Sequence, residues 1–260
     1  MKRSARAVFS VVLLIVGVSG CVTSPTGRSQ FIMVDDRQMA SQGAQVFSQI
    51  KQKVPLQQSP VTNRRVDCVA DALLWQLPQN ERDGWEVRVF SSKDTNAFAL
   101  PGKKIGVFTG MLDLVQNDAQ LAAVIGHEIA HVQARHAAER ASMSSVSQLG
   151  AGVADILLPG SGDLVNVGSQ MGVLLPYSRA HESEADIMGQ LLMAQAGFDP
   201  RASIELWQLM QRKNGSGGPQ FLSTHPAPGN RIQALQTQLN RTMPLYERAR
   251  RMGNTPRCGF

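Results

Sequence analysis

The five residues His127-Glu128-Ile129-Ala130-His131 constrain the fold of this chain more than any other stretch. Residues four apart on an α-helix lie about 40° from each other around the axis, so both imidazoles face the same side. An apolar stripe at helical spacing surrounds them: Leu121, Val124, Ile125, Ile129 and Val132. Glu128 falls inside this stripe, where a carboxylate needs a partner or a chemical role. The stretch predicts a buried helix that carries two metal ligands and one carboxylate; the alternative is a helix with two surface histidines.

Two histidines at this spacing with an adjacent glutamate are typical of zinc hydrolases. A catalytic zinc takes three protein ligands and keeps one position open, so a third ligand must come from another part of the chain. Glu182 and Glu184 are the candidates. Glu182 shares a helix face with Asp186, four residues away, which favours Glu182 as the ligand and Asp186 as acceptor of the outer ring N–H of a bound histidine. The alternative is a solvated first turn of a helix, where acidic residues are common.

Glu128 is predicted to be the general base, which takes a proton from the zinc-bound water and passes it to the leaving amine. Burial in the apolar stripe would raise its pKa toward neutrality. His225 or Arg231 is predicted to donate a hydrogen bond to the oxyanion. His136 is nine residues from His127, on the opposite side of a helix that we expect to continue to about Ser145, so it is set aside as a surface or core-edge residue.

The N-terminus has the pattern of an export signal: a basic start, the apolar run Ala7–Val18, and small residues before Cys21. The run is shorter than the ~20 residues of a membrane-spanning helix. Val18-Ser19-Gly20-Cys21 resembles a bacterial lipobox, which implies cleavage before Cys21 and a lipid on its sulfur. Residues 1–20 are therefore predicted to be a lipoprotein signal peptide. Val22 after the cysteine favours sorting to the outer membrane, facing the periplasm.

The segment 21–34 mixes Thr, Ser, Pro and Gly and is predicted to be a flexible linker, followed by a single domain over 35–260. We expect Cys68 and Cys258 to form a disulfide in an oxidising compartment; the alternative is two free thiols. The net charge is +6, but part of it belongs to the predicted signal. No Lys/Arg run with interleaved aromatic residues occurs in the sequence, so nucleic-acid binding is not predicted.

Periodicity predicts mainly helices with a few strands. Trp85, Val87 and Val89 alternate with polar residues, and two further apolar runs flank the turn residues Pro101-Gly102. The predicted fold class is therefore α+β, with a small antiparallel sheet packed on the active-site helix. The glycine-rich segment 150–176 has two interpretations: a mobile cover or membrane-facing hairpin, or two short buried helices.

The motif at residues 127–131, followed by Glu182-Ser183-Glu184-Ala185-Asp186 and by His225 with Arg231, resembles the HtpX and CAAX-prenyl-protease family of zinc metallopeptidases. The resemblance covers roughly residues 60 to 240 and is strongest to the soluble periplasmic lipoprotein and BepA-like members. It implies a mainly helical zincin (minigluzincin-like) metallopeptidase domain. One Zn²⁺ per chain is implied, held by His127, His131 and Glu182 with Asp186 behind them.

The same resemblance places His225 and Arg231 near the open zinc position, as transition-state donors or as a closing plug. Asn96-Ala97-Phe98-Ala99 resembles the edge strand of the family, which implies that substrate binds by strand addition.

The predicted function is that of a membrane-tethered zinc metalloendopeptidase that hydrolyses misfolded or misassembled cell-envelope proteins at the bacterial outer membrane. The membrane is reached through the lipid on Cys21. The alternative is a zinc-containing chaperone or assembly factor for outer-membrane proteins, with a latent or closed active site. Outer-membrane assembly machinery would then be a partner.

Overall fold

A computed structural model describes residues 21–145, 177–213, 219–226 and 229–259. The predicted signal peptide, residues 1–20, and the glycine-rich segment 150–176 lie outside these ranges. The chain divides into two compact units. The smaller unit contains the described residues 21–35 and 138–145, and the larger contains 36–137 and the described residues from 177 onward.

The smaller unit corrects the prediction of a flexible linker over 21–34. Strands β1 (Cys21–Thr23) and β2 (Ser29–Phe31) pair in antiparallel fashion across a short turn. Glu139 accepts two hydrogen bonds from the Arg28 guanidinium, at 2.7 and 2.6 Å, and a third from Gln30. Pairing and this buried carboxylate order a segment whose composition alone predicts disorder. Residues 35 and 138–145 of the predicted single domain over 35–260 therefore belong to the smaller unit.

The larger unit is mainly helical, which confirms the α+β class. Its helices are α1 (Asp36–Lys53), α2 (Pro60–Leu74), α3 (Gln79–Arg82), α4 (Thr109–Leu114), α5 (Asp118–Gln133), α6 (Arg179–Gln195), α7 (Arg201–Arg212), α8 (Phe221–Thr224) and α9 (Arg231–Arg251). Its strands are β3 (Glu86–Phe90), β4 (Ala97–Leu100) and β5 (Lys104–Phe108). No helix in the described ranges is long and apolar enough to cross a membrane.

Helix α5 lies in the core. Asn117 caps its start by accepting a hydrogen bond from the backbone N–H of Gln120. The apolar stripe is buried except for Val132, which is half-buried, and α5 packs against α2, α6, α7 and strand β4. A helix surrounded in this way exposes almost nothing from Gln120 to His131, so every polar group on it must find a partner inside the protein.

The sheet differs from the predicted antiparallel arrangement. Its strand order is β3-β5-β4, with β4 antiparallel to β5 and β3 parallel to β5. Gly102 (φ 81°) and Lys103 (φ 62°) form the tight turn that folds β5 back onto β4. The longer connection 91–96 leads from β3 to β4 and leaves room for a strand between them. Strand β5 occupies this place and pairs with both β3 and β4. As a result, β4 is an edge strand.

Two glycines let α5 and α6 approach closely. A Cβ added to Gly189 would lie 2.9 Å from the backbone nitrogen of His127, and one added to Gly126 would lie 3.1 Å from the Gly189 carbonyl oxygen. Any larger residue at Gly189 would push the helices apart. The two helices can therefore face each other backbone to backbone, which brings side chains on α6 within reach of His127.

Helix α5 ends earlier than predicted. Its regular part stops at Gln133, and Arg135 adopts the left-handed conformation with φ 54° before helical residues resume at His136. The Arg135 side chain is held by Asp36, with Nε 3.0 Å from Oδ1. This break turns His136 away from the position that a continuous helix would give it.

The structure contains the predicted disulfide between Cys68 and Cys258, whose Cα atoms are 5.6 Å apart. Cys68 belongs to α2, and the backbone N–H of Cys258 donates to Asp118 at the start of α5. The C-terminal segment is thus fixed to the helices that support the buried motif.

Candidate zinc site

Two histidines of α5 face each other in the interior. The Nε2 atoms of His127 and His131 are 3.0 Å apart, and both residues are buried. Glu128 lies on the same helix and is also buried. The structure thus brings the three predicted motif residues together on one helix surface, as the spacing predicts.

Helix α6 supplies the carboxylates. Glu182 Oε2 is 3.3 Å from His127 Nε2, and Glu182 Oε1 is 3.4 Å from His131 Nε2. Asp186 Oδ1 is 3.1 Å from His127 Nδ1, the nitrogen on the other side of that ring. Glu184, the other candidate ligand, points away from this group and contacts His136. Glu182 and Glu184 therefore lie on different faces of α6, and only Glu182 faces the two histidines of α5.

His225 follows α8 and joins the same group. Its Nδ1 lies 3.3 Å from His127 Nε2 and 3.1 Å from Glu182 Oε1, while its Nε2 lies 3.4 Å from Glu128 Oε1. Phe221 stacks on the His225 ring at 4.2 Å and fixes its orientation. His225 therefore occupies a position at which it could be a fourth metal ligand.

Arg231 is turned toward the two carboxylates. Its Nη2 lies 2.6 Å from Glu182 Oε2 and its Nε lies 2.5 Å from Asp186 Oδ2. The Trp207 ring covers the guanidinium at 3.7 Å. Only Nη1 has no hydrogen-bond partner among the described residues. The structure thus places Arg231 as the counter-charge of the carboxylates, and the predicted oxyanion contact is left to Nη1 alone.

One atom from each of four buried residues can meet a single ion. The ligand atoms of His127, His131, Glu182 and His225 all lie within 4.8 Å of one another. Several of the contacts between them are 3.0 to 3.4 Å, close to the roughly 3.3 Å expected between neighbouring ligands of a tetrahedron with zinc bonds of about 2.0–2.1 Å. Imidazole nitrogen and carboxylate oxygen are the donors that zinc prefers when thiolates are absent. The group fits one zinc ion.

Burial and neighbouring charges shift the pKa values of the buried site residues in different directions. For Glu182, burial would raise the pKa, but the contacts of the carboxylate with the surrounding histidines outweigh it and hold the pKa well below its ordinary value. For Glu128, burial dominates and raises the pKa. Burial lowers the pKa of His131 well below its ordinary value, whereas for His127 burial is outweighed by the carboxylates of Asp186 and Glu182, which raise the pKa to about 9. Glu182 is therefore an anionic ligand, and Glu128 is tuned toward the range of a general base.

Glu128 borders a cavity of about 350 Å³ next to the ligand group. The backbone of Ala99 in β4 forms a hydrogen bond with the Glu128 carboxylate. Glu128 Oε1 has no hydrogen-bond partner among the described residues. The cavity is lined mainly by apolar side chains and by strand β4: Ile50, Val54, Asn96, Ala97, Phe98, Ala99, Leu100, Phe108, Tyr177, Gln220, Thr224 and His225. The predicted edge strand thus lies beside the predicted base.

Sequence reasoning missed two aromatic and ionic supports of the site. His136 is fully buried and contacts His131, although a continuous helix would put it on the opposite side. Tyr177 stacks on the His131 ring at 3.9 Å. The spacing of five residues between His131 and His136 is visible in the sequence, but the left-handed turn at Arg135 that brings them together is not.

The fold and the site together define the class of a zinc-dependent metalloendopeptidase domain with one zinc ion. The chain belongs to peptidase family M48, whose model matches residues 60–239.

Curated relatives support the same class. The mitochondrial metalloendopeptidase OMA1 of Schizosaccharomyces pombe is 41% identical over 60% of this chain and 47% of its own length. The human OMA1 is 34% identical over 74% of this chain and 37% of its own length. The beta-barrel assembly-enhancing protease of Escherichia coli (strain K12) is 25% identical over 76% of this chain and 43% of its own length. The chain thus spans about a third to a half of the curated relatives it matches.

These comparisons correct two predictions. The M48 family is confirmed, but the finer placement beside BepA-like members is not supported, because the mitochondrial relatives share more identity with this chain. The predicted location, lipid-anchored at the bacterial outer membrane and facing the periplasm, is contradicted, because the relatives with 34–41% identity are mitochondrial proteases. The signal peptide and the lipid on Cys21 are not tested by these relatives and stay predictions.

Proposed function

We propose that this protein hydrolyses peptide bonds within extended, apolar segments of unfolded or misassembled proteins. The observation that carries the proposal is the position of edge strand β4, whose Ala99 backbone contacts the buried base Glu128 beside an apolar cavity. The predicted restriction to cell-envelope substrates depended on the location that the relatives contradict. We therefore propose the substrate class without a cellular location. The name of the E. coli relative, a protease that enhances β-barrel assembly, supports misassembled proteins as the substrate class.

The outer edge of β4 can accept an extended peptide. The backbone N–H of Phe108 donates to the Asn96 carbonyl, and the register pairs Phe98 with Gly106. Because hydrogen-bonded and non-hydrogen-bonded pairs alternate in an antiparallel ladder, the backbone groups of Ala97 and Ala99 point away from β5. The N–H groups of Ala97 and Ala99 already donate to Asn96 Oδ1 and to the Glu128 carboxylate, so their carbonyls are the groups that could accept hydrogen bonds from a substrate strand passing Glu128.

The cavity beside β4 favours apolar side chains. The rings of Phe98 and Phe108 and the aliphatic chains of Ile50, Val54 and Leu100 line it. Folded proteins bury most of the large apolar side chains that would fit this cavity, whereas unfolded proteins expose them on extended segments. An extended strand with an apolar side chain next to the cleaved bond is thus the substrate that this surface selects.

The chemistry follows from the residues around the cleft. When bound, zinc polarises the scissile carbonyl and makes water a better nucleophile at neutral pH. Glu128 is positioned to take a proton from the attacking water and to pass it to the leaving amine. Asp186 and Arg231 keep the ligands His127 and Glu182 oriented. The buried walls of the site exclude bulk water from the charged groups.

Glu128→Gln should reduce the rate of casein cleavage by roughly 10²–10⁴-fold, because the amide cannot accept the proton. The variant should still contain one zinc per chain, since Glu128 is not a ligand in this account. Cleavage is measured by release of labelled peptides and zinc by elemental analysis. Glu205→Gln, an exposed substitution on α7, is the matched control and should match the unmodified protein. Full activity in Glu128→Gln would refute the assignment of the base.

Strand addition predicts an alternating response to backbone methylation. In a series of fluorogenic peptides that carry one N-methyl amide each, every second position near the cleaved bond should lose about tenfold in kcat/KM, because one hydrogen bond to β4 is worth up to about 1.5 kcal/mol. The intervening positions should change little. A uniform loss, or no loss at any position, would contradict pairing with β4.

His225 favours a second proposal, in which the endopeptidase is latent. A catalytic zinc needs an open position, and a site with four protein ligands is closed. His225 lies within the ligand group and also contacts the base Glu128. Its displacement, by substrate or by a partner, would then be required before cleavage. The predicted alternative was a chaperone or assembly factor with a latent or closed active site. The position of His225 supports the latent active site in that alternative.

His225→Ala should therefore increase the rate of casein cleavage, because it removes a fourth ligand and frees Glu128. Initial rates at saturating zinc measure this, with the neighbouring exposed substitution Ser223→Ala as the control. A large fall in kcat with intact zinc content would contradict closure and assign His225 to the oxyanion instead.

A further inference from the structure

His136 and Glu184 form a buried chain that ends at a zinc ligand. His136 Nδ1 lies 2.8 Å from His131 Nδ1, and His136 Nε2 lies 3.1 Å from Glu184 Oε2. His136 is 0% and Glu184 4% exposed. The opposite nitrogen of His131, Nε2, faces Glu182 and His127. A carboxylate, two imidazoles and the ligand group therefore lie in one row.

The hydrogen-bonding capacity of these groups determines where the protons lie. A carboxylate only accepts hydrogen bonds, so His136 carries its proton on Nε2 and donates it to Glu184. The Nδ1 of a neutral His136 is then an acceptor. The 2.8 Å contact requires a donor on the other side, so His131 carries its proton on Nδ1. The Nε2 of His131 is left with a lone pair directed at the ligand group, as a zinc ligand requires.

Packing holds this row of groups in place. The left-handed conformation of Arg135 brings His136 back toward His131. The His136 ring stacks on His181 at 4.4 Å with an interplanar angle of 23°. Tyr177 stacks on His131 at 3.9 Å with the same angle. Stacking therefore fixes the orientation of the His131 and His136 rings, while the hydrogen bonds fix their tautomers.

The arrangement parallels the support of the other histidine ligand. The Nδ1 of His127 faces the carboxylate of Asp186 directly. The Nδ1 of His131 reaches its carboxylate, Glu184, through His136. In metal sites, outer partners of this kind commonly change metal affinity by 10- to 100-fold.

We propose that His136 and Glu184 are positioning residues that fix Nε2 of His131 as the metal-binding nitrogen and thereby increase the affinity for zinc. Neither touches the ion or the substrate. Their effect on catalysis passes through His131 alone.

The test measures the zinc dissociation constant of the full chain by competition with a chromophoric chelator, without any peptide substrate. His136→Phe, which keeps a stacking ring but removes the acceptor, should bind zinc 10- to 100-fold more weakly. Glu184→Ala should lose about as much. Glu184→Gln keeps an acceptor oxygen for His136 and should stay within a few-fold of the unmodified protein.

Gln190→Met is the matched control, because Gln190 is buried on the same helix α6 and its amide donates to Ser203 and to two backbone carbonyls without touching a ligand. It should reduce the unfolding temperature but leave the zinc dissociation constant unchanged. The visible spectrum of the cobalt-substituted protein should change in His136→Phe and not in Gln190→Met, since it reports ligand geometry.

Two results would overturn the proposal. One is a zinc dissociation constant within twofold of the unmodified value in folded His136→Phe or Glu184→Ala. The other is an equal loss in Glu184→Gln and Glu184→Ala, which would assign the effect to the charge of Glu184 and not to the hydrogen-bonded row. If His136→Phe does not fold, the two Glu184 variants decide. Because no peptide is cleaved in this assay, its outcome is independent of the proposed substrate class.

Discussion

The buried carboxylates of Glu182 and Asp186 need a counter-charge inside the protein, and the packing of the larger unit depends on this requirement. Glu182 is fully buried and Asp186 is 8% exposed, and an unpaired buried charge is strongly destabilising. The fork of Arg231 contacts both at once, so a single side chain from α9 compensates α6 at two points one helical turn apart. The docking of α9 and the orientation of the zinc ligands thus depend on the same contacts.

Such short distances are available only because the helix backbones approach closely. Gly126 and Gly189 face each other where α5 crosses α6, and a Cβ at Gly189 would collide with the α5 backbone. A wider crossing would carry Glu182 and Asp186 away from His127 and leave both carboxylates with less compensation. Small residues at one crossing point are therefore a steric requirement of the electrostatic arrangement.

Sequence reasoning succeeded where helical spacing alone decides geometry. His127, Glu128, His131, Glu182 and Asp186 lie within uninterrupted helices, so a wheel of 3.6 residues per turn predicts their faces. The position of His225, in contrast, depended on family resemblance, because no spacing rule connects a residue after α8 to α5.

The predictions that were wrong have one physical cause: contacts between residues distant in sequence override the local sequence pattern. The wheel failed for His136 because the left-handed Arg135, held by Asp36, interrupts the helix. The parallel pairing of β3 with β5 depends on how a hairpin folds back, and alternation of residues contains no information about it. The order of residues 21–31 arises from pairing and from Glu139, more than a hundred positions away.

The central claim is that buried nitrogen and oxygen ligands on separate helices converge on a single zinc ion. Zinc K-edge X-ray absorption of the purified full-length protein, with metal content determined on the same sample, tests it most directly. We expect one zinc per chain with about four nitrogen or oxygen ligands at roughly 2.0–2.1 Å, and the outer scattering of imidazole rings. Sulfur ligands at about 2.3 Å, or a zinc environment that is unchanged in Glu182→Ala, would contradict it.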